Sequence, residues 1–392
     1  MRPTSSLSPL QIVDDLRFAN MAEALEKNIS RLKVAGAAAE TLRFGPKKIA
    51  TSKYIDSLQV LLDSLKRDPS GQEYLKIIDE KFEFLEVYGD REWGDVFITS
   101  YYEPTLQGSV KRTDEFSEAL YETPKDLLTI RLGDFEHAYA AFRNPAVEFK
   151  PLEGVLRARL VSAEPPQASA IAPYLTREQI ERDSLNKTAK VLAWVDPIDA
   201  FFLHTQGSGR VVLTNGPKPG REIRVGYADQ NGYPYVSIGK NLFDKIPKDK
   251  MSRQKIEAYL RSLPKDRARA LMDENPSFIF FQSLKGGALS SFGAEVTAGR
   301  TIATDGKFFP KGALAFLQFQ MPEFAPAASG ALQAVEPVGY KTVTRFVVDQ
   351  DSGGAIRGPA RVDLFAGSGP EADRMSGVMR HRGRLYYLVP RQ

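Results

Sequence analysis

No cysteine occurs in the sequence. Disulfides, thiolate metal sites and a lipobox cysteine are therefore excluded for this sequence. Histidine is almost as scarce, with three residues, His137, His204 and His381, far apart in the chain. None forms an H-x-x-x-H pair, so no metal is expected, although acidic ligands stay open. No apolar run approaches the roughly 20 residues that a spanning helix needs. The start, MRPTSSLSPL, lacks the charged-then-apolar pattern of a leader. Two readings follow: a cytosolic protein, or a mature form whose leader is gone. Charge of one sign is not concentrated either. Lys and Arg number 53 against 49 Asp and Glu, a net of +4 with no long basic block. That balance suits a polyanionic surface only weakly, and nucleic acid is not an expected partner.

What is present is ordinary for a globular chain: 42% hydrophobic and 26% charged over 392 residues, which predicts two domains with substantial cores. The chemistry gathers in Thr344 to Gly369, TRFVVDQDSGGAIRGPARVDLFAGSG. Phe346 to Val348 is a β-prone run. Asp351-Ser-Gly-Gly reverses the backbone, with Gly353 and Gly354 supplying the freedom. Gly358-Pro359 turns it again. Arg361 to Phe365 then alternates, placing Arg361, Asp363 and Phe365 on one face. Two carboxylates, Asp351 and Asp363, thus sit on rigid backbone, with Asp349 near. Neighbouring acids and partial burial would raise such a pKa toward the range of a general acid. An aspartate beside glycine is also an ordinary turn former, and that reading stays open for Asp351. Asp363 lies mid-strand, where aspartate is disfavoured.

Along the chain, Leu10 to Lys66 reads mostly helical, with Leu25, Ile29 and Leu32, then Leu58, Leu61, Leu62 and Leu65, at helical spacing. A further helix is expected from Gly71 to Gly89. Val96 to Tyr102 reads as a strand stopped at Glu103-Pro104. Its adjacent tyrosines place one ring on each face: a core ring and a surface ring, or a platform for a pyranose. Strand-like runs follow at Asp134 to Ala141, Gly154 to Leu160, Lys190 to Val195 and Ala200 to His204. Thr176 and Gln179 make a capping box. Gln206-Gly-Ser-Gly, with Ser208, reads as a tight loop between β runs. It is no phosphate cradle, because neither a helix nor Lys-Ser/Thr follows. Lys240 reads equally as a groove cation or a solvated loop lysine. Ser252 to Leu263 and Lys265 to Glu274 read as short helices, Ser277 to Phe281 as a buried strand. Lys285-Gly-Gly reads as a boundary. From there to Pro390 everything reads as β, with a surface loop at Pro326 to Pro337.

The block DSGGAIRGPARVD with GSGPEA resembles the signature of the family of membrane-bound lytic murein transglycosylase A, a double-psi β-barrel domain named for three aspartates. Its third aspartate matches Asp305 in AGRTIATDGKFFPKGA. Ile98 to Pro104 is similar to the family's Thr-Gly-Tyr-Tyr-x-Pro segment of the sugar groove, with Ser100 where glycine is usual. Gln206-Gly-Ser-Gly and Tyr235-Val-Ser-Ile-Gly-Lys240 resemble two further family segments. The resemblance implies a mainly β fold: a discontinuous double-psi barrel domain, 1–104 with 285–392, carrying N-terminal packing helices. A β-rich substrate-binding domain, 105–284, is inserted, with a groove between the two.

The resemblance also implies the chemistry. The substrate is the glycan strand of peptidoglycan, cut at the β-1,4 bond between N-acetylmuramic acid and N-acetylglucosamine, endo or exo. Asp363 matches the single acid/base, which yields a 1,6-anhydro sugar without water. Asp351 matches its neighbouring catalytic aspartate, and Asp305 a structural acid that holds loops. Thr99, Tyr102, Gln206, Ser208, Lys240, Gly353 and Gly354 match substrate-binding positions. No cofactor is implied. A monomer in the periplasm, associated with the outer membrane through a missing leader, is expected. A glycan hydrolase and an expansin-type polysaccharide-binding protein remain the alternatives.

Overall fold

The computed structural model describes residues 1–4, 12–35, 40–135, 154–161, 169–247, 251–325 and 336–391. Most of Asp134 to Ala141, His137 included, and 326–335 of the expected surface loop lie outside the described residues; Asp134 itself sits in a short 3-10 turn, Leu132–Phe135. The chain divides into two compact units. One comprises Met1–Pro104, Ser252–Gln254 and Gly286–Gln392; the other comprises Thr105–Met251 and Lys255–Lys285.

The first unit is built on a closed six-stranded barrel of the double-psi class. Around it run Arg380–Pro390, Ala313–Glu323, Gly339–Asp351, Thr301–Ala303, Arg361–Ser368 and Asp95–Glu103, which pairs back to Arg380–Pro390. Two pairings are parallel: Thr301–Ala303 with Gly339–Asp351, and Arg361–Ser368 with Asp95–Glu103. Closure leaves these strands no open edge in the ring. Alternation decides which side chains enter it. Val96 and Ile98 of one strand, and Val362 and Leu364 of its neighbour, are at most 1% exposed. The residues between them face outward.

Helices Met21–Ala35, Thr51–Arg67 and Gln72–Lys81 cover the barrel through Leu25, Ile29, Leu32, Leu58, Leu61, Leu62 and Leu65, all in one core. Two expectations fail here. The helical reading of Leu10 to Lys66 is broken by a hairpin, Thr41–Phe44 with Lys47–Ala50. Its turn at Gly45 takes φ +60°, a region that glycine enters without steric cost. The helix expected to reach Gly89 ends at Lys81, and Phe82–Glu86 is a strand paired with Arg380–Pro390. Phe82 and Phe84 alternate inward, so tertiary pairing overrides the local helical signal.

Ahead of the first helix, Asp14 and Asp15 tie the chain to the barrel. Arg300 donates from Nη1 to Asp14 Oδ2 at 2.6 Å and from Nη2 to Asp14 Oδ1 at 2.8 Å. Both side chains are fully buried. Arg345 donates from Nε to Asp15 Oδ1 at 2.7 Å and from Nη2 to Asp15 Oδ2 at 2.5 Å.

The second unit holds a six-stranded sheet in the order Ile279–Leu284, Glu222–Gln230, Ser208–Leu213, Thr105–Ser109, Val191–Val195, Glu118–Tyr121. A separate three-stranded sheet joins Leu128–Arg131, Val155–Val161 and Ala170–Pro173. Ala200 to His204, expected as a strand, belongs to the helix Pro197–Gln206. Asp196 caps it by accepting from the N–H groups of Ile198 and Asp199, Pro197 opens it, and Gly207 closes it at φ 82°. These cap signals outweigh an apolar run of strand length. Buried Arg177 fixes this helix, meeting His204 Nδ1 and Ser277 O at 2.8 Å each. Burial, then the Arg177 charge, pushes the His204 imidazole far down, so it stays neutral. The capping box of Thr176 and Gln179 is formed as expected.

Candidate active site

Asp363 is the centre of the arrangement. Inward-facing Val362 and Leu364 anchor its strand, which leaves Asp363 on the outer face of the barrel wall. The parallel register sets Asp363 beside Thr99. Thr99 Oγ1 donates to Asp363 Oδ1 at 2.6 Å. The residue keeps partial solvent access, yet its carboxyl is packed deeply enough for burial to raise its pKa to about 6. The Thr99 hydrogen bond and the charge of Arg361 oppose that rise, and the charge of Asp351 adds to it. An acid of this strength carries a proton at mildly acidic pH and releases it readily.

Asp351 is engaged differently. Its Oδ2 accepts from Tyr101 OH at 2.7 Å, and its Oδ1 accepts from the N–H groups of Ser291 and Ser352 at 2.8 Å each. Three donors hold it as an acceptor. Burial, followed by the Asp351 charge, drives the Tyr101 hydroxyl well above its usual pKa, so it remains a donor. The Tyr101 ring packs on Phe365, centroids 5.2 Å apart.

Asp305 holds loops. Its Oδ2 accepts from Gly358 N at 2.8 Å and its Oδ1 from Lys307 N at 3.0 Å. Burial alone would raise its pKa, but these donors and two nearby cations keep it low. Through Gly358 it secures the turn that feeds the Asp363 strand. Asp349 is fully buried and accepts from Lys311 Nζ at 2.8 Å, Thr304 Oγ1 at 2.6 Å and Tyr387 OH at 2.5 Å. Gly353 lies in the loop after Asp351, where its carbonyl accepts from Ile356 N at 3.0 Å; Gly354 follows it at the exposed surface.

The expected positions divide between the units. Thr99, Asp305, Asp351, Gly353, Gly354 and Asp363 belong to the first, as does Tyr102. Tyr102 turns to the opposite face of its strand from Thr99 and is only 7% exposed, with the Arg253 guanidinium 5.5 Å from its ring centroid. Tyr101 takes the Thr99 face instead. Period-two counting from Thr99 identifies Tyr101, and Phe97 with it, a signal in the sequence that adjacent tyrosines obscure. Gln206, Ser208 and Lys240 belong to the second unit. Gln206 ends the helix, Ser208 is 7% exposed at a strand start, and Lys240 is exposed in the short helix Ile238–Leu242. The segment after Gly286, expected as all β, contains one helix, Pro370–Val378, with Pro370 at its first position.

A closed double-psi barrel with a half-buried acid on its wall defines the class of protein. The comparisons define the family. The MltA-specific insert domain matches residues 97–282, and the 3D domain matches residues 300–389. Membrane-bound lytic murein transglycosylase A of Escherichia coli (strain K12) is 26% identical over 307 residues, which cover 77% of this chain and 68% of that protein. The crystal structure of membrane-bound lytic murein transglycosylase from Agrobacterium tumefaciens superposes with a TM-score of 0.70 at 25% identity, covering 96% of this chain and 93% of that one. E. coli MltA with bound chitohexaose shares the fold, with a TM-score of 0.64 at 21% identity over 95% and 90% of the two chains. The chain belongs to the membrane-bound lytic murein transglycosylase A family.

Proposed function

We infer that this chain is a peptidoglycan lytic transglycosylase that cuts the β-1,4 bond between N-acetylmuramic acid and N-acetylglucosamine with one acid/base, Asp363. The observation that carries this reading is the inequality of the two carboxyls. Asp363 is raised to about 6 and accepts a hydrogen bond from Thr99. Asp351 is held by Tyr101, Ser291 and Ser352. Ordinary glycosidases need two working carboxylates. Here one works and the other orients and repels.

In the first step Asp363 gives its proton to the glycosidic oxygen as the bond to the anomeric carbon breaks. Asp363, now a carboxylate, takes the proton of the sugar's own 6-hydroxyl. That oxygen bonds to the anomeric carbon and closes a 1,6-anhydro ring. The proton returns to where it began and no water enters. Intramolecular attack supplies high effective molarity, which suits a site with a single mobile proton. Thr99 keeps the carboxyl aimed. Gly353 and Gly354 of the first domain, 1–104 with 285–392, and Gln206, Ser208 and Lys240 of the inserted domain, 105–284, are assigned to glycan binding; Tyr102, buried on the face opposite Thr99, is left out of the contacts around Asp363. The protein would work as a monomer in the periplasm at the outer membrane.

Mass spectrometry of digested sacculi tests the reading. The expected products are lighter by one water than hydrolysis products. Hydrated ends would make the chain a hydrolase, and intact sacculi would leave an expansin-type binding protein. Asp351→Asn is expected to lower turnover less than Asp363→Asn does. An amide in that place turns an N–H toward a donor, which disturbs orientation without removing the mobile proton. A loss of about 10-fold fits positioning. An Asp351→Asn enzyme as dead as Asp363→Asn, measured on purified sacculi, would reject the division of labour.

A further inference from the structure

The outer face that carries Asp363 continues beyond it. Arg361 precedes Asp363 by two residues on the same strand face, and the parallel register sets Arg361 beside Phe97 as it sets Asp363 beside Thr99. The Arg361 guanidinium lies 5.0 Å from the Phe97 ring centroid. Phe97 itself is 37% exposed. Arg361 Nη1 is buried and has no hydrogen-bond partner among the described residues. Burial disfavours the Arg361 charge, and the opposing charge that supports it is that of Asp363. When Asp363 holds its proton, that support is gone. A buried guanidinium N–H with no acceptor and no counter-charge is costly. An oxygen from outside the protein would relieve it.

We propose that Arg361 and Phe97 form a subsite for an acyl carbonyl oxygen of the glycan, next to the point of proton transfer. Arg361 Nη1 donates to the carbonyl while the exposed Phe97 ring fixes the guanidinium plane and offers its rim to the sugar's apolar face. A rise of two strand steps sets the subsite about 7 Å from Asp363, within reach of substituents on the sugars flanking the cut bond. Such carbonyls come from two sources in peptidoglycan: the N-acetyl group, which chitin shares, and the lactyl group with its peptide stem, which chitin lacks. The proposal rests on Asp363 being the acid as read above.

The test is binding, so that it stands apart from turnover. Titration calorimetry is run on the Asp363→Asn protein and on the same protein with Arg361→Gln, Arg361→Lys or Phe97→Ala. The probes are chitohexaose and a purified murein glycan fragment bearing stems. Arg361→Gln is expected to weaken the murein fragment by about 10- to 100-fold, the usual worth of a hydrogen bond from a charged donor. Arg361→Lys keeps the charge beside the carboxyl position but loses the planar fork, and should recover only part of that affinity. Phe97→Ala should cost about 5-fold. Equal losses on both probes assign the N-acetyl carbonyl; a loss confined to the murein fragment assigns the lactyl or stem carbonyl. Unchanged affinity for both probes in a folded Arg361→Gln protein, verified by its melting curve, overturns the subsite. Activity of the single Asp363→Asn protein on sacculi judges the catalytic reading separately.

Discussion

Asp363→Asn should lose turnover of sacculi by at least about 10²- to 10⁴-fold, the worth of a general acid/base, and melt at a higher temperature than the native protein at neutral pH. Both effects come from one carboxyl. Its pKa is raised from 3.8 to about 6 by burial. A carboxyl that binds its proton more tightly when folded contributes stability only while protonated. That contribution is complete below pH 3.8 and is lost as pH rises through about 6. At neutral pH the ionised, buried group is therefore a liability, on the order of 3 kcal/mol. Asparagine is neutral at every pH, keeps the shape and still presents an oxygen to Thr99. The same pKa governs the rate: kcat/KM of the native enzyme should fall about tenfold per pH unit above pH 6. Calorimetric melting at several pH values, together with a pH–rate profile, checks both. A destabilised Asp363→Asn at neutral pH, or a rate still rising at pH 8, would contradict the assignment of this carboxyl as the acid.

Asp14→Ala should cost about 3–5 kcal/mol of stability, the usual effect of stranding one member of a buried ion pair. Arg300 and Asp14 are both fully buried and bonded twice to each other. Asp14 also accepts from the N–H groups of Leu16, Phe18 and Phe346, each at 3.1 Å. Its removal leaves the guanidinium charged in the core and loosens residues 12–20 from the strand Gly339–Asp351. Burial would raise the Asp14 pKa, but the Arg300 bonds and charge, with the backbone donors, hold it below 3.8. Its stabilising effect is thus present at neutral pH and lost in strong acid, opposite in sign to that of Asp363. Replacing both partners, Asp14→Leu with Arg300→Met, should recover much of the loss, since two apolar groups leave no orphaned charge. Urea denaturation of the single and double variants measures it. A single variant within 1 kcal/mol of native would mean that the N-terminal segment is not held by this pair.

The sequence by itself determined which residues are candidates for the chemistry. A mid-strand aspartate between apolar residues, preceded by paired glycines, needs no neighbour to be noticed, because strand alternation and turn preference act within a few residues. The same local rules placed Thr99 and Asp363 on strand faces and predicted the Thr176 capping box. They failed where distant segments competed. Phe82–Glu86 carries a continuing helical pattern, yet its partner strand begins at Arg380. Ala200 to His204 looks like a strand until Asp196 and Gly207 are counted as caps. Tertiary structure alone set the different surroundings of the two aspartates, on which their proposed division of labour rests. Tyr101 and Ser291 reach Asp351 from two distant stretches of chain, joining the N–H of its next residue, Ser352, whereas Asp363 is packed against Thr99 and Arg361. A carboxyl's acidity is set by burial and by the donors around it. Ser352 beside Asp351 and Arg361 beside Asp363 come from neighbours in sequence, but the burial and the Thr99, Tyr101 and Ser291 donors are what folding brings opposite each residue.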